Sequence, residues 1–118
     1  MRVQISFIIL VYIGVSFLNL MRFNSHRLQK TLLSDIALNI YNVDKVELDK
    51  INYYYPELTV NLIPITTLIA RYHLHYNHFD KAINFGKKGI QSNPYLAYTY
   101  YLVARIYLEK NNLSKGFE

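Results

Sequence analysis

The chain has 118 residues, enough for one domain and an N-terminal appendage. Its 52% hydrophobic and 18% charged residues are an apolar balance for a helical protein of this size. It has no cysteine, which excludes disulfides, thiolate catalysis and Cys-based zinc or iron–sulfur sites, and its net charge of +5 comes from scattered basic residues rather than a patch interleaved with exposed aromatics, so no nucleic-acid surface is expected.

Residues 3–21 run without a charge between Arg2 and Arg22. About 20 predominantly apolar helical residues cross the hydrocarbon core, so the length predicts one retained transmembrane helix. Gln4, Ser6, Ser16 and Asn19 dilute the run, and Tyr12 sits at its centre. A cleaved signal peptide would use Arg2 as its basic region and residues 5–13 as its apolar region. Its only small-x-small site, Gly14-Val15-Ser16, is followed by more apolar residues, a poor cleavage context. A buried soluble helix is the third alternative. Arg22, Arg27 and Lys30 follow the span, and the positive-inside rule leans towards a cytoplasmic C-terminal domain.

Residues 25–41 predict a separate amphipathic helix with Ser25 as N-cap. Leu28, Leu32, Leu33, Ile36, Ile40 and Tyr41 recur at three- and four-residue spacing. Such a helix lies on a membrane surface or packs against the helices that follow; the second is the preferred reading. Asp44 and Glu47 have capping-box spacing for a short helix to about Asn52, and Tyr55-Pro56 marks a turn. Residues 58–63 are ambiguous between strand and helix.

Pro64 suits a first helical turn, so a helix is predicted over 64–76 with a turn at Asn77-His78. A second helix covers 79–92, Asn93-Pro94 breaks it, and a third covers 95–110. Asn111-Asn112 turns again, and Leu113 opens a fourth helix, unfinished at Glu118. Gly86 and Gly89 inside the second helix each weaken it by up to about 1 kcal/mol relative to alanine; close helix packing is the expected reason.

Ile69-Ala70-Arg71 lies 34 residues before Val103-Ala104-Arg105 (103 − 69 = 34), and the same offset pairs Leu74 with Leu108 and Lys81 with Lys115. With Tyr100, Ala104 and Tyr107, Phe79-Asp80-Lys81-Ala82 and Pro94 in place, the stretch resembles the tetratricopeptide repeat family. His73, Gly86 and Gly89 depart from its preferred residues. The resemblance implies one and a half helical repeat units (62–118), and with the span read as a transmembrane anchor (1–23) and the linker with amphipathic helices (24–61) the expected fold is all-α. The resemblance further implies that the first helix of each unit lines a groove for a protein or peptide, formed by Thr67, Arg71, Leu74, His75, Tyr98, Tyr101, Arg105, Leu108 and Glu109. Two guanidinium groups beside tyrosines suit a carboxylate or phosphate; the alternative is solvated arginines, with Arg105 paired to Glu109. The uncovered face of the third helix predicts self-association or marginal stability.

No catalytic arrangement is visible, and neither enzyme activity nor a cofactor is expected. Asp35, Asp44, Glu47, Asp49, Glu57, Asp80, Glu109 and Glu118 read as caps and solubilising groups. His73 and His75 point apart on a helix, His75 and His78 make at most a pair, and no metal is expected. The layout of a last span, short helices and repeats also resembles the C-terminal end of bacterial O-antigen polymerase/ligase-type membrane proteins, on stretches such as Tyr54-Tyr55-Pro56-Glu57-Leu58 and Asn93-Pro94-Tyr95. That resemblance implies a piece of a larger polytopic enzyme whose catalytic part lies upstream. A cleaved leader would instead leave a soluble adaptor.

Overall fold

A computed structural model describes residues 1–50 and 57–115; the side chains of residues 2, 45, 47, 50 and 113–115 are not described. The described residues are all-helical: α1 (Arg2–Leu38), α2 (Lys45–Lys50), α3 (Ile65–His75), α4 (Phe79–Ser92) and α5 (Ala97–Lys115). The molecule measures 76 × 28 × 23 Å because α1 projects from the rest.

The expected span and the expected amphipathic helix are one element, the 37-residue α1. No glycine or proline separates them, so nothing breaks the backbone hydrogen bonding where the surroundings change. The described side chains of its first half, residues 3–20, are all exposed, and the helix is long and apolar enough to cross a membrane. Its second half buries Ser25, Gln29, Leu32 and Asp35 along one stripe. Ser25 is therefore not an N-cap: it lies mid-helix, and its hydroxyl accepts from Gln29 Nε2 at 3.2 Å. The preferred packing of this half on the later helices is what the structure shows.

The helix ends earlier than Tyr41, at a left-handed Asn39 (φ 57°). The N–H groups of Asn39 and Ile40 return to the carbonyls of Ile36 and Asp35, a Schellman closure. Asp44 caps α2 as expected, its Oδ1 accepting from Val46 N at 3.1 Å. The expected end of that helix at Asn52 and the Tyr55-Pro56 turn lie outside the described residues.

Residues 58–63 are neither strand nor helix. Leu58 bridges Pro64, Thr59 N donates to Ile63 O (2.9 Å), and Ile63 N donates to Thr59 Oγ1 (3.1 Å), closing a tight loop with Leu62 left-handed at φ 60°. Its tip leaves Val60 and Leu62 exposed. Pro64 stands one residue outside α3: its ψ of 139° is extended, and its carbonyl accepts the first helical N–H groups.

Nine of the eleven residues of α3 are buried. One core sets Ile65, Leu68, Ile69 and Tyr72 against Leu32, Tyr41 and Leu48. A second sets Ala70 and Leu74 against Ala82, Ile83, Leu102 and Ile106. Asn77 (φ 59°) closes α3 by the same Schellman pattern, His78 N reaching His73 O at 2.8 Å and Asn77 N reaching Leu74 O at 2.9 Å. That turn sends α4 back antiparallel along α3, and α4 covers 79–92 as expected.

The two glycines of α4 are where the helices touch. A Cβ on Gly86 would stand 2.6 Å from Val103 Cγ2, and one on Gly89 would stand 2.2 Å from Thr67 Oγ1 and 3.2 Å from Thr99 Cγ2. Thr67 and Thr99 share a buried hydrogen bond (3.1 Å) beneath Gly89. Thus α3 and α5 run in the same direction with α4 wedged against both.

Helix α5 begins two residues later than expected, after Tyr95 N and Leu96 N bond back to Asn93. It then continues through Asn111-Asn112 to Lys115, so the expected second turn is not made. Asparagine is only a modestly poor helix former. At Asn77 a packed α4 rewards the reversal, whereas both asparagines here are exposed.

Asp35 is not a solubilising acid. It is buried and accepts from Tyr72 OH (2.7 Å) and Asn42 N (3.0 Å), fixing α1 to α3. Burial, reinforced by this hydrogen bond, pushes the Tyr72 phenol well above the ordinary tyrosine range. Between α4 and α5, Lys110 meets Asp80 at 2.7 Å.

Two stability outcomes follow. Gly89→Ala lowers unfolding stability in detergent by about 1–3 kcal/mol through overpacking, despite a helix-propensity gain of about 1 kcal/mol, and Thr67→Ala in the same chain recovers part of the loss. Tyr72→Phe lowers stability by about 2 kcal/mol by leaving a buried carboxyl with one donor fewer. Thermal or urea unfolding followed by circular dichroism measures both; an unchanged Gly89→Ala variant would remove the close approach as the reason for glycine.

Candidate functional site

A cleft of about 320 Å³ opens between α3 and α5 and is closed at one end by the segment after α1. Seven of the nine residues expected in a groove line it: Arg71, Leu74, His75, Tyr98, Tyr101, Arg105 and Glu109. Tyr98, Tyr101, Arg105 and Glu109 fall on one face of α5 by the helical period, opposite the Arg71–His75 side of α3.

Two expected residues are elsewhere. Thr67 is fully buried at the three-helix junction with Thr99 and Gly89, so it supports the wall and presents nothing to the opening. Leu108 stands 63% exposed, rotated about 100° around α5 from the cleft-lining Glu109 and so turned out of the opening.

Arg71 is held in place by two phenols. Its Nη1 donates to Tyr98 OH at 2.8 Å and its Nε to Tyr41 OH at 3.3 Å. Burial opposes the charge, but these hydrogen bonds outweigh it and keep the guanidinium pKa above its ordinary value. Arg105 is exposed, and its Nε donates to Glu109 Oε1 at 2.7 Å, the i,i+4 partnership weighed from the sequence. That hydrogen bond raises the Arg105 pKa, with the Glu109 charge adding to it. The cleft thus presents one oriented, partly desolvated cation and one screened ion pair, bordered by aromatic rings.

Asn39, Tyr41, Asn77 and Leu102 also line the cleft and were missed. Tyr41 matters most: it bonds Arg71, stacks on His75 with ring centroids 3.9 Å apart at 8°, and meets Tyr72 edge-on at 4.9 Å. Its sequence signal was only an aromatic at the end of an apolar stripe. The 30-residue separation from Arg71 hides the contact.

The histidines divide as their spacing requires. His75 turns into the cleft against Tyr41, while His73 is fully buried on the other side of α3, stacked on Phe85 (5.3 Å) and His78 (5.9 Å). His78 therefore stands with His73 rather than His75. Among the described residues, neither ring nitrogen of His73 has a hydrogen-bond partner, and Asp49 Oδ1 is 3.6 Å from its Nε2. Asp49 is itself bonded to Lys81, which is the first cause of its lowered pKa. Among the described residues, no group of three His, Cys, Asp or Glu is placed to hold a metal ion.

No protein-family model, curated protein or solved structure matches the chain.

Burial pushes the His73 imidazole below its ordinary value, only partly offset by the Asp49 charge. The unfolded chain, whose histidine titrates near about 6.5, therefore binds the proton more readily than the folded one. Stability falls as pH drops below about 6.5 and continues to fall until the lowered folded pKa is passed. Asp49 acts in a separate, lower window, losing its stabilising ionisation only below the ordinary carboxylate range. Unfolding midpoints measured between neutral and mildly acidic pH should fall in the parent chain and flatten in His73→Leu. An equal slope in both would place the titration elsewhere.

Proposed function

We propose that this chain is a membrane-anchored, non-enzymatic tetratricopeptide-like module that binds a partner protein or peptide in the α3–α5 cleft. The observation that carries this reading is Arg71, held by Tyr41 and Tyr98 inside a concave opening that also carries Arg105. A guanidinium fixed before binding loses little side-chain freedom when it meets a carboxylate, and the neighbouring rings offer apolar area at low entropic loss. The 34-residue offset and the antiparallel α3–α4 pair support a repeat architecture. The exposed apolar half of α1 supports the anchor, and Arg22, Arg27 and Lys30 behind it favour a single pass with the helical domain in the cytoplasm.

A second reading is favoured by the outer face of α5. Tyr100, Tyr107 and Leu108 are exposed there, a surface suited to another repeat helix or to a second copy of the chain. In that reading the segment is the C-terminal part of a larger membrane enzyme of cell-surface polysaccharide assembly, and it organises the assembly without performing its chemistry.

A photo-crosslinking amino acid at Tyr101 of the membrane-inserted chain tests the first reading. It should yield a discrete protein adduct that Arg71→Ala with Arg105→Ala abolishes, while the same probe at the outward-facing Asn84 yields none. Identical adduct patterns at both positions would overturn it.

A further inference from the structure

The loop between residues 57 and 63 is tied to α1, and its direction along that helix places an exposed apolar tip at one particular height. Gln29, itself buried, donates from Nε2 to Leu58 O at 3.3 Å. From there the loop runs back towards the N-terminus of α1, so that Val60 shares a recess of about 560 Å³ with Asn19, Arg22, Phe23 and His26. Arg22 ends the uncharged run of α1. Gln29 lies seven residues, or about 10 Å, further along the helix axis. The tip therefore stands level with the end of the apolar stretch, while its base lies in the water-facing domain.

What surrounds the recess has one chemical sense. Val60 is 83% exposed and Phe23 59%, two apolar side chains of the recess turned outward at the level where the apolar stretch of α1 ends and hydrocarbon would give way to headgroups. Among them stand the Arg22 guanidinium and the His26 imidazole, and no described lining residue is acidic. The first Asp or Glu of the whole chain is Asp35. A lipid satisfies both halves, its phosphate meeting Arg22 and His26 and its acyl chains meeting Phe23 and Val60.

We propose that the 57–63 loop is a second membrane contact, and that the recess between it and α1 binds the phosphate of an anionic phospholipid. This rests on the reading that α1 crosses the membrane. The two contacts, one buried and one interfacial, fix the rotation of α1 about its own axis and hence the direction in which the α3–α5 cleft faces.

The chain contains no tryptophan, so single tryptophans report cleanly in the full chain reconstituted in phosphatidylcholine vesicles with or without phosphatidylglycerol. Phe7→Trp reports the span, Val60→Trp the loop, and Asn84→Trp an aqueous control. The expected result is blue-shifted emission at positions 7 and 60, quenched by brominated acyl chains, with position 84 unquenched. At position 60, brominated phosphatidylglycerol should be preferred over brominated phosphatidylcholine by about fivefold, the order expected of one basic side chain at the surface. Arg22→Gln with His26→Gln, checked for unchanged helicity, should bring that ratio to about one while quenching at position 7 persists. Quenching at 7 with none at 60 would overturn the loop contact and leave the anchor standing. Quenching at 60 without lipid preference would overturn the phosphate site. No quenching at 7 would overturn the anchor and this inference together.

Discussion

Helix α3 has eleven residues, too few to persist alone in water, and nine of them are buried. It is a helix because α1, α2, α4 and α5 supply apolar surface on nearly every side, and those elements are held together because they share it. One core lies on its α1–α2 side and the other on its α4–α5 side. Polar groups inside this arrangement must find partners or remain neutral. Tyr72 finds Asp35 and Thr67 finds Thr99, while His73 is held among aromatic rings and is disfavoured as a cation.

The same central helix joins the packed helices to the projecting α1. Asp35 lies on α1, the helix whose other half is uniformly exposed and apolar, and its hydrogen bond to Tyr72 transmits the position of that helix to α3. On the opposite side, Gly89 and the Thr67–Thr99 pair set the distance between α3 and α5. That distance is the width of the cleft. Arg71 sits between these constraints, one phenol from the segment following α1 and one from α5 holding its guanidinium. An arginine so placed is oriented by the fold rather than by a ligand, which is the physical condition for selective recognition of a planar anion.

Much of this was legible in the residues. The uncharged run at 3–21, the Asn77-His78 turn, the limits of α4 and the packing role of Gly86 and Gly89 are local signals, and the structure carries each of those features at the expected place. The continuity of α1 was not legible, because a change of environment from apolar run to amphipathic stripe looks like a boundary although no residue there interrupts a helix. Asn111 repeats Asn77 at the 34-residue offset, yet only Asn77 turns. The difference lies in the helix that packs behind the turn, not in the asparagine.

For the cleft, the groove implied by the repeat resemblance named Arg71, Leu74, His75, Tyr98, Tyr101, Arg105 and Glu109, all of which line the opening; the helical period explains only why those on one helix share a face. That implied groove misplaced Thr67, because a small polar residue on a groove-facing register reads the same whether it meets water or another threonine. It missed Tyr41 altogether. The composition and spacing of this chain determined that it is helical and apolar at its start. Only the tertiary structure decided that α3 is the shared interior helix, that Asp35 is buried, and that Arg71 is clasped by tyrosines 30 residues before it and 27 after it. These are contacts between distant segments, set by how several helices divide one apolar surface among themselves, and no local pattern encodes that division.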